Sequence, residues 1–176
     1  MIPQTLIRYI ETEIIPRYEH FDKAHNLSHV QTVIDESLAL AKLYPQADER
    51  LVYTIAAYHD TGLCRDRATH HLVSGEIIAA DANLLQWFDK AEIKIMREAV
   101  EDHRASTDHE PRSIYGKIVA EADRIIDADI SAFVYGCSGL SKISFLSAIS
   151  TIFPRYITAT RLLMYSTTDK SCEMKM

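Results

Sequence analysis

Apolar residues recur along this chain at intervals of three and four, the spacing of one helix face, and the strict alternation of a half-buried strand is scarce. Leu6, Ile7, Ile10, Ile14 and Ile15 mark a first amphipathic helix over residues 3–18. Val30, Val33, Ile34, Leu38 and Ala41 mark a second, starting near Leu27 and ending before Pro45. Between them, His20 to Asn26 is polar and reads as a loop. A third helix over about residues 48–60 opens on Asp48-Glu49, acids that suit the positive end of a helix dipole. A charged loop, Arg65-Asp66-Arg67, follows it. Further helices are expected from Ser74 to Phe88, Lys90 to Arg104 and Ser113 to Asp129. The pattern predicts an all-α fold.

Composition narrows this to one compact globule. The chain has 176 residues, 47% of them hydrophobic, with only 5 Gly and 5 Pro, so a substantial core needs no disulfide staples. Residues 1–176 read as a single domain with its core at about 20–130. A formal charge of −6 without a basic stripe argues against a nucleic-acid partner. Cys64, Cys137 and Cys172 show no metal-finger spacing, which makes a reduced, cytoplasmic protein the default. The N-terminus lacks the basic and apolar regions of a signal peptide. No apolar run reaches the roughly 18–20 residues that span a bilayer, so no membrane association is expected.

The segment 131–176 differs from the rest. Of the 25 acidic residues only Asp169 and Glu173 follow Asp129, and no histidine follows His109. Between Ser131 and Thr160 only Lys142 and Arg155 are charged. A packing helix, an oligomer contact in a homodimer and an altered C-terminal reading frame all accommodate so abrupt a change.

Charge on apolar faces marks the candidate chemistry. Val52, Ile55, Ala56 and His59 follow one helical stripe, with Asp60 beside the histidine and Thr61-Gly62 reading as a left-handed helix stop. A core-facing imidazole next to a carboxylate is costly unless a positive group pairs with both, and a divalent metal does so. His29 lies one position from the stripe of the second helix. His103 shares a face with Met96, Ala99 and Val100, and Asp123 with Val119 and Ile126. Singly, an inward histidine is more often a hydrogen-bonded core residue, and an inward aspartate the partner of an arginine such as Arg124 or Arg104. Together, His29, His59-Asp60 and Asp123 place two imidazoles and two carboxylates on helices that can converge. Such a set suits Mn²⁺, Fe²⁺, Co²⁺, Ni²⁺ or Zn²⁺, with positions left for water and substrate. No phosphate-binding loop, dinucleotide fingerprint or nucleophile elbow competes. Cys64 reads as a buried structural thiol.

The order H…HD…D resembles the HD-domain superfamily of metal-dependent phosphohydrolases over roughly residues 20–130. Its flanks agree: His25-x-x-x-His29-Val30, Ala57-Tyr58-His59-Asp60-Thr61-Gly62, His71-x-x-Ser74-Gly75 and Glu121-Ala122-Asp123-Arg124. The resemblance implies an HD-like helical bundle with a metal site between its central helices. It implies His29, His59, Asp60 and Asp123 as ligands of a divalent ion, Mg²⁺ included among the candidates. His71 and His103 fall where some members place histidines for a second metal or for the pocket. His70 reads as a solvated loop residue, His20 and His109 as surface residues, and His25 as able to orient a ligand or line the pocket. Arg65, Arg67, Arg104, Lys117 and Arg124 are candidate phosphate contacts, although exposed cations are usually just solvated. Glu76, Asp102 and Glu121 are candidate acids behind the ligands. The implied activity is hydrolysis of a phosphoester or phosphoanhydride of a small substrate, a nucleotide foremost. Two other readings stand beside it: an HD-fold di-iron oxygenase, and a non-catalytic nucleotide-sensing domain.

Overall fold

A computed structural model of the chain describes residues 1–22, 24–104 and 109–134, with side chains as far as 125. Residues Met1–Asp129 form one compact unit. Ile130–Met176 group separately, and from 135 onward they lie outside the described residues, as does every expectation attached to the low-charge C-terminal segment. The described elements are helical throughout. No helix among them is long and apolar enough to cross a membrane.

The first helix is wound in three ways. α1 (Gln4–Tyr9) runs into a π-helical turn at Ile10–Ile14 and then a 3₁₀ turn at Ile15–His20. Periodicity predicts one regular helix here, and Pro16 is the reason for the difference. Its nitrogen cannot donate and its ring crowds the carbonyl four residues back, so the winding changes around it. Leu6, Ile10, Ile14 and Tyr18 are nevertheless all fully buried.

α2 (Leu27–Ala41) starts at Asn26, whose side chain accepts from the amides of Ser28 and His29. The cap fixes the phase of the helix, which buries Val30, Val33 and Ile34 and turns His29 inward. α3 (Glu49–Tyr58) is the central element, with every residue from Leu51 to Tyr58 buried. Its start is anchored from two sides. Arg50 spans Asp48, Glu92 and the Trp87 carbonyl and stacks 5.4 Å over the Phe88 ring, and the Asp48 amide donates to the Tyr115 hydroxyl.

α4 (His70–Ala80) begins four residues before the apolar pattern predicts, which puts His70 on the helix rather than in the loop. It ends at Asp81, and a 3₁₀ turn, Ala82–Gln86, takes the place of the expected continuation to Phe88. Asp81 accepts from both Tyr9, at 2.6 Å, and Tyr58, at 2.5 Å, so the stop ties three elements together. α5 (Lys90–Glu101) opens on a complete capping box, Asp89 with Glu92. α6 (Ile114–Val134) buries Ile118, Val119 and Ala122 against the unit.

The stop after α3 also departs from expectation. No left-handed residue forms it; Asp60 leaves the helix at φ −107°, ψ 6°, and Thr61–Cys64 wind into a 3₁₀ turn. Gly62 is needed for closeness instead. A Cβ there would lie 2.1 Å from the His70 carbonyl oxygen and 2.7 Å from the Ser74 amide nitrogen. The Gly62 amide donates to Ser74 Oγ at 2.7 Å, seating this turn on the start of α4.

Candidate metal centre

Six side chains from five elements meet on the buried side of this turn. His29 comes from α2, His59 and Asp60 from the end of α3, His70 from the first residue of α4, His103 from just beyond α5, and Asp123 from α6. They fall into two triads of ligand atoms, His29–His59–Asp123 and Asp60–His70–His103, each within 4.8 Å of one another. Asp60 faces both. Its Oδ2 lies 3.2 Å from His59 Nε2 and 3.6 Å from His29 Nε2. Its Oδ1 lies 3.2 Å from His70 Nε2 and 3.5 Å from His103 Nε2. His29 Nε2 stands 3.3 Å from Asp123 Oδ1 and 3.2 Å from His59 Nε2, and His70 Nε2 stands 3.3 Å from His103 Nε2.

Most of these spacings suit donors to a shared metal ion, and those of Asp60 to His29 and His103 are slightly longer. Two donors each about 2.1 Å from one ion, at angles between square and tetrahedral, stand about 3.0–3.4 Å apart. The proton positions agree. His59 Nδ1 donates to the Ala56 carbonyl at 2.7 Å, His70 Nδ1 to Arg67 at 2.8 Å, and His103 Nδ1 to Val100 at 2.6 Å. A carbonyl only accepts, so each ring carries its proton on Nδ1 and presents the Nε2 lone pair to the cluster. Converging lone pairs and carboxylates in a buried site call for a cation. The residues fit a divalent ion in each triad.

In the absence of metal, protons fill part of that need. Burial disfavours the charged His29 ring, but Asp123 and Asp60 outweigh it and lift the pKa to about 9. His103 is raised in the same way, Asp60 overcoming burial. Burial alone would raise the Asp60 carboxyl, yet His59 and the neighbouring imidazoles hold it well below the usual range. Asp123 is lowered against burial by His29. His70 goes the other way, depressed by burial. Ligands must be unprotonated carboxylates and neutral imidazoles, and the centre favours the carboxylate form outright.

A sequence model of the HD domain matches residues 26–127, more than half of the chain and all six clustered residues. The chain belongs to the HD-domain family. Among solved structures, that of a predicted HD superfamily hydrolase from an uncultured Thermotogales bacterium shares the fold at a TM-score of 0.61. The likeness covers 90% of this chain and 92% of that one at 20% sequence identity. No curated protein matches the chain in sequence.

Around this HD-domain centre the remaining candidates sort by geometry. The structure places His70, expected in a solvated loop, among the clustered ligand atoms, and His71 beside them. His70 sits in the second triad, whereas His71 is half-buried outside both, its Nδ1 without a partner among the described residues. Burial keeps its ring neutral, with the pKa lowered. The helix brings one of two adjacent residues inward, and the earlier start of α4 selects the first. His25 bonds Asp22 at 2.7 Å and lies ring to ring with His29 at 5.5 Å.

None of the three acids expected behind the ligands bonds a clustered imidazole. Glu76 is exposed and paired with Arg65. Asp102 is fully buried but clamped by Arg112, through Nε at 3.0 Å and the backbone amide at 2.7 Å. Glu121 is buried with Oε2 on Arg124, and burial raises its pKa. Backbone carbonyls orient the rings instead, a signal absent from the side-chain pattern. Of the basic candidates, Arg67 reaches Asp22, Arg104 donates to the Ala68 carbonyl, and Lys117 pairs with Glu110. Cys64 is exposed rather than buried, because the 3₁₀ turn points it outward. His20 and His109 are exposed.

Proposed function

We propose that this chain is a metal-dependent phosphohydrolase that cleaves a phosphoester or phosphoanhydride of a small substrate, a nucleotide foremost, at a centre of two divalent ions. The observation that carries this reading is the Asp60 carboxylate, with one oxygen toward each histidine triad. In two-ion sites the pair supplies a Lewis acid for phosphoryl oxygens and an activated water near neutral pH. The protein's part is to fix the ligands. The Ala56, Arg67 and Val100 carbonyls hold three rings in one tautomer, and Asp60 stays ionised between them. Arg104, beside His103 and bonded to Ala68 in the loop before His70, stands on the side of the second triad. With Arg67 it is the best-placed cation to hold phosphate and offset charge gathering on its equatorial oxygens. His71 stands ring to ring with His70 at 5.7 Å, beside the second triad.

The test is phosphate and pyrophosphate release from a panel of nucleotides and phosphomonoesters, with Mn²⁺, Co²⁺, Ni²⁺, Mg²⁺ and Zn²⁺ supplied separately. Release by the unmodified chain that vanishes in Asp60→Ala is the expected result. Silence across the panel from a chain carrying two ions overturns it.

The same observation favours a second reading. Four histidines and a shared carboxylate also suit a di-iron oxygenase. Oxygen consumption by the iron-loaded chain with an added organic substrate, and no phosphate release, would establish it.

A further inference from the structure

The His59-Asp60 pair is shaped by a residue outside the matched HD segment. Tyr18 lies in the N-terminal 3₁₀ turn, eight positions before residue 26, and is fully buried. Its hydroxyl donates to the Ala57 carbonyl at 3.0 Å and accepts from the Asp60 amide at 3.2 Å. In a continuing α-helix the Asp60 amide would bond the Ala56 carbonyl, and the Thr61 amide the Ala57 carbonyl. Both partners are reassigned here. Tyr18 takes the Asp60 amide and the Ala57 carbonyl, and the Ala56 carbonyl accepts from His59 Nδ1 at 2.7 Å instead.

We propose that Tyr18 is a positioning residue of the centre, whose hydroxyl ends α3 at His59 and holds the His59-Asp60 turn so that both side chains enter the cluster. Without it the helix is free to wind on through Asp60. That would take the Ala56 carbonyl from the imidazole and turn the Asp60 backbone from φ −107°, ψ 6° to helical values, moving its carboxylate off the two triads. The local environment suits the task. The Tyr18 ring packs edge-on to Phe21 at 5.1 Å and lies 6.3 Å from His59, so the hydroxyl has little room to choose other partners.

This inference rests on the metal-centre reading, and the experiment separates the two. Mn²⁺ binding and the visible spectrum of bound Co²⁺ are measured on the full chain and on Tyr18→Phe, with Tyr58→Phe as control. Tyr58 is equally buried, but its hydroxyl bonds Asp81. Removing the Tyr18 hydroxyl is expected to weaken Mn²⁺ binding about tenfold or more and to change the Co²⁺ spectrum, with helicity retained. Tyr58→Phe is expected to leave the spectrum unchanged. Wild-type affinity and spectrum in Tyr18→Phe, or equal losses in both variants, overturn the proposal. Amide exchange of Asp60 in the unmodified chain adds a test that needs no folded variant: protection comparable to α3 is expected, and exchange at the rate of an open loop overturns it. If the unmodified chain binds no Mn²⁺, the metal reading fails, and the Asp60 exchange alone decides whether the hydroxyl bond exists.

Discussion

At the scale of residues, the centre turns on which of two neighbours enters it. His70 and His71 differ by one position, about 100° of helix rotation, and only His70 Nε2 reaches Asp60. His70→Ala is therefore expected to lower the binding stoichiometry from two ions to one, while His71→Ala leaves it at two. Titration with Mn²⁺ by calorimetry checks this, and the reverse order of effects would return the second triad to His71. Asp60→Ala is expected to remove both ions, because its two oxygens serve both triads. The chain should stay folded and helical, since the same change removes a buried charge that the metal-free chain must otherwise pair. Two full equivalents in Asp60→Ala would show that the carboxylate bridges nothing. Legibility ends at this scale. His29, His59, Asp60 and Asp123 were marked by standing on or beside apolar stripes, whereas His70 lay before the first residue that hydrophobic periodicity assigned to its helix.

At the scale of elements, helix ends do the positioning, and they are set by caps and close approaches rather than by the apolar stripe. His59 and His103 fold Nδ1 back on the carbonyl three residues earlier at a helix C-terminus, where carbonyls lack helical partners, and His70 Nδ1 takes the Arg67 carbonyl in the loop before α4. Gly62→Ala tests the seat of α4. The added carbon meets the His70 carbonyl at 2.1 Å, backbone that cannot turn aside. A loss of about 1–3 kcal/mol in urea unfolding is expected, together with weaker binding at the second triad. An unaltered unfolding midpoint would mean the turn moves freely on α4. Asp89→Ala removes the capping box of α5 and is expected to cost about 1 kcal/mol without changing metal stoichiometry, because that end lies far along the helix from His103.

At the scale of the whole molecule, protons and metal compete for one cluster, so stability and loading are linked through pH. The metal-free His29 pKa is raised to about 9. Its contribution is complete below the unfolded value of about 6.5 and is lost as pH rises through 9. Asp60 and Asp123 are depressed, so their contribution is present above about 3.9 and is lost as pH falls through their folded values. The metal-free chain should therefore lose stability between about pH 6.5 and 9, as His29 gives up the proton that competes with metal. The rise in Tm on adding Mn²⁺ is expected to grow across that interval. A rise that shrinks with pH would mean that metal does not displace the His29 proton. The amino-acid pattern by itself determined that this chain is helical, that a core-facing His59 with Asp60 beside it closes α3, and that three further helices carry candidate ligands. Those features are written in local periodicity, which survives without any knowledge of contacts. Only the tertiary structure decided that Asp60 faces both triads, that His70 is in one of them, and that the Tyr18 hydroxyl bonds the end of α3. Each depends on side chains and backbone groups meeting across tens of residues, and local periodicity records neither.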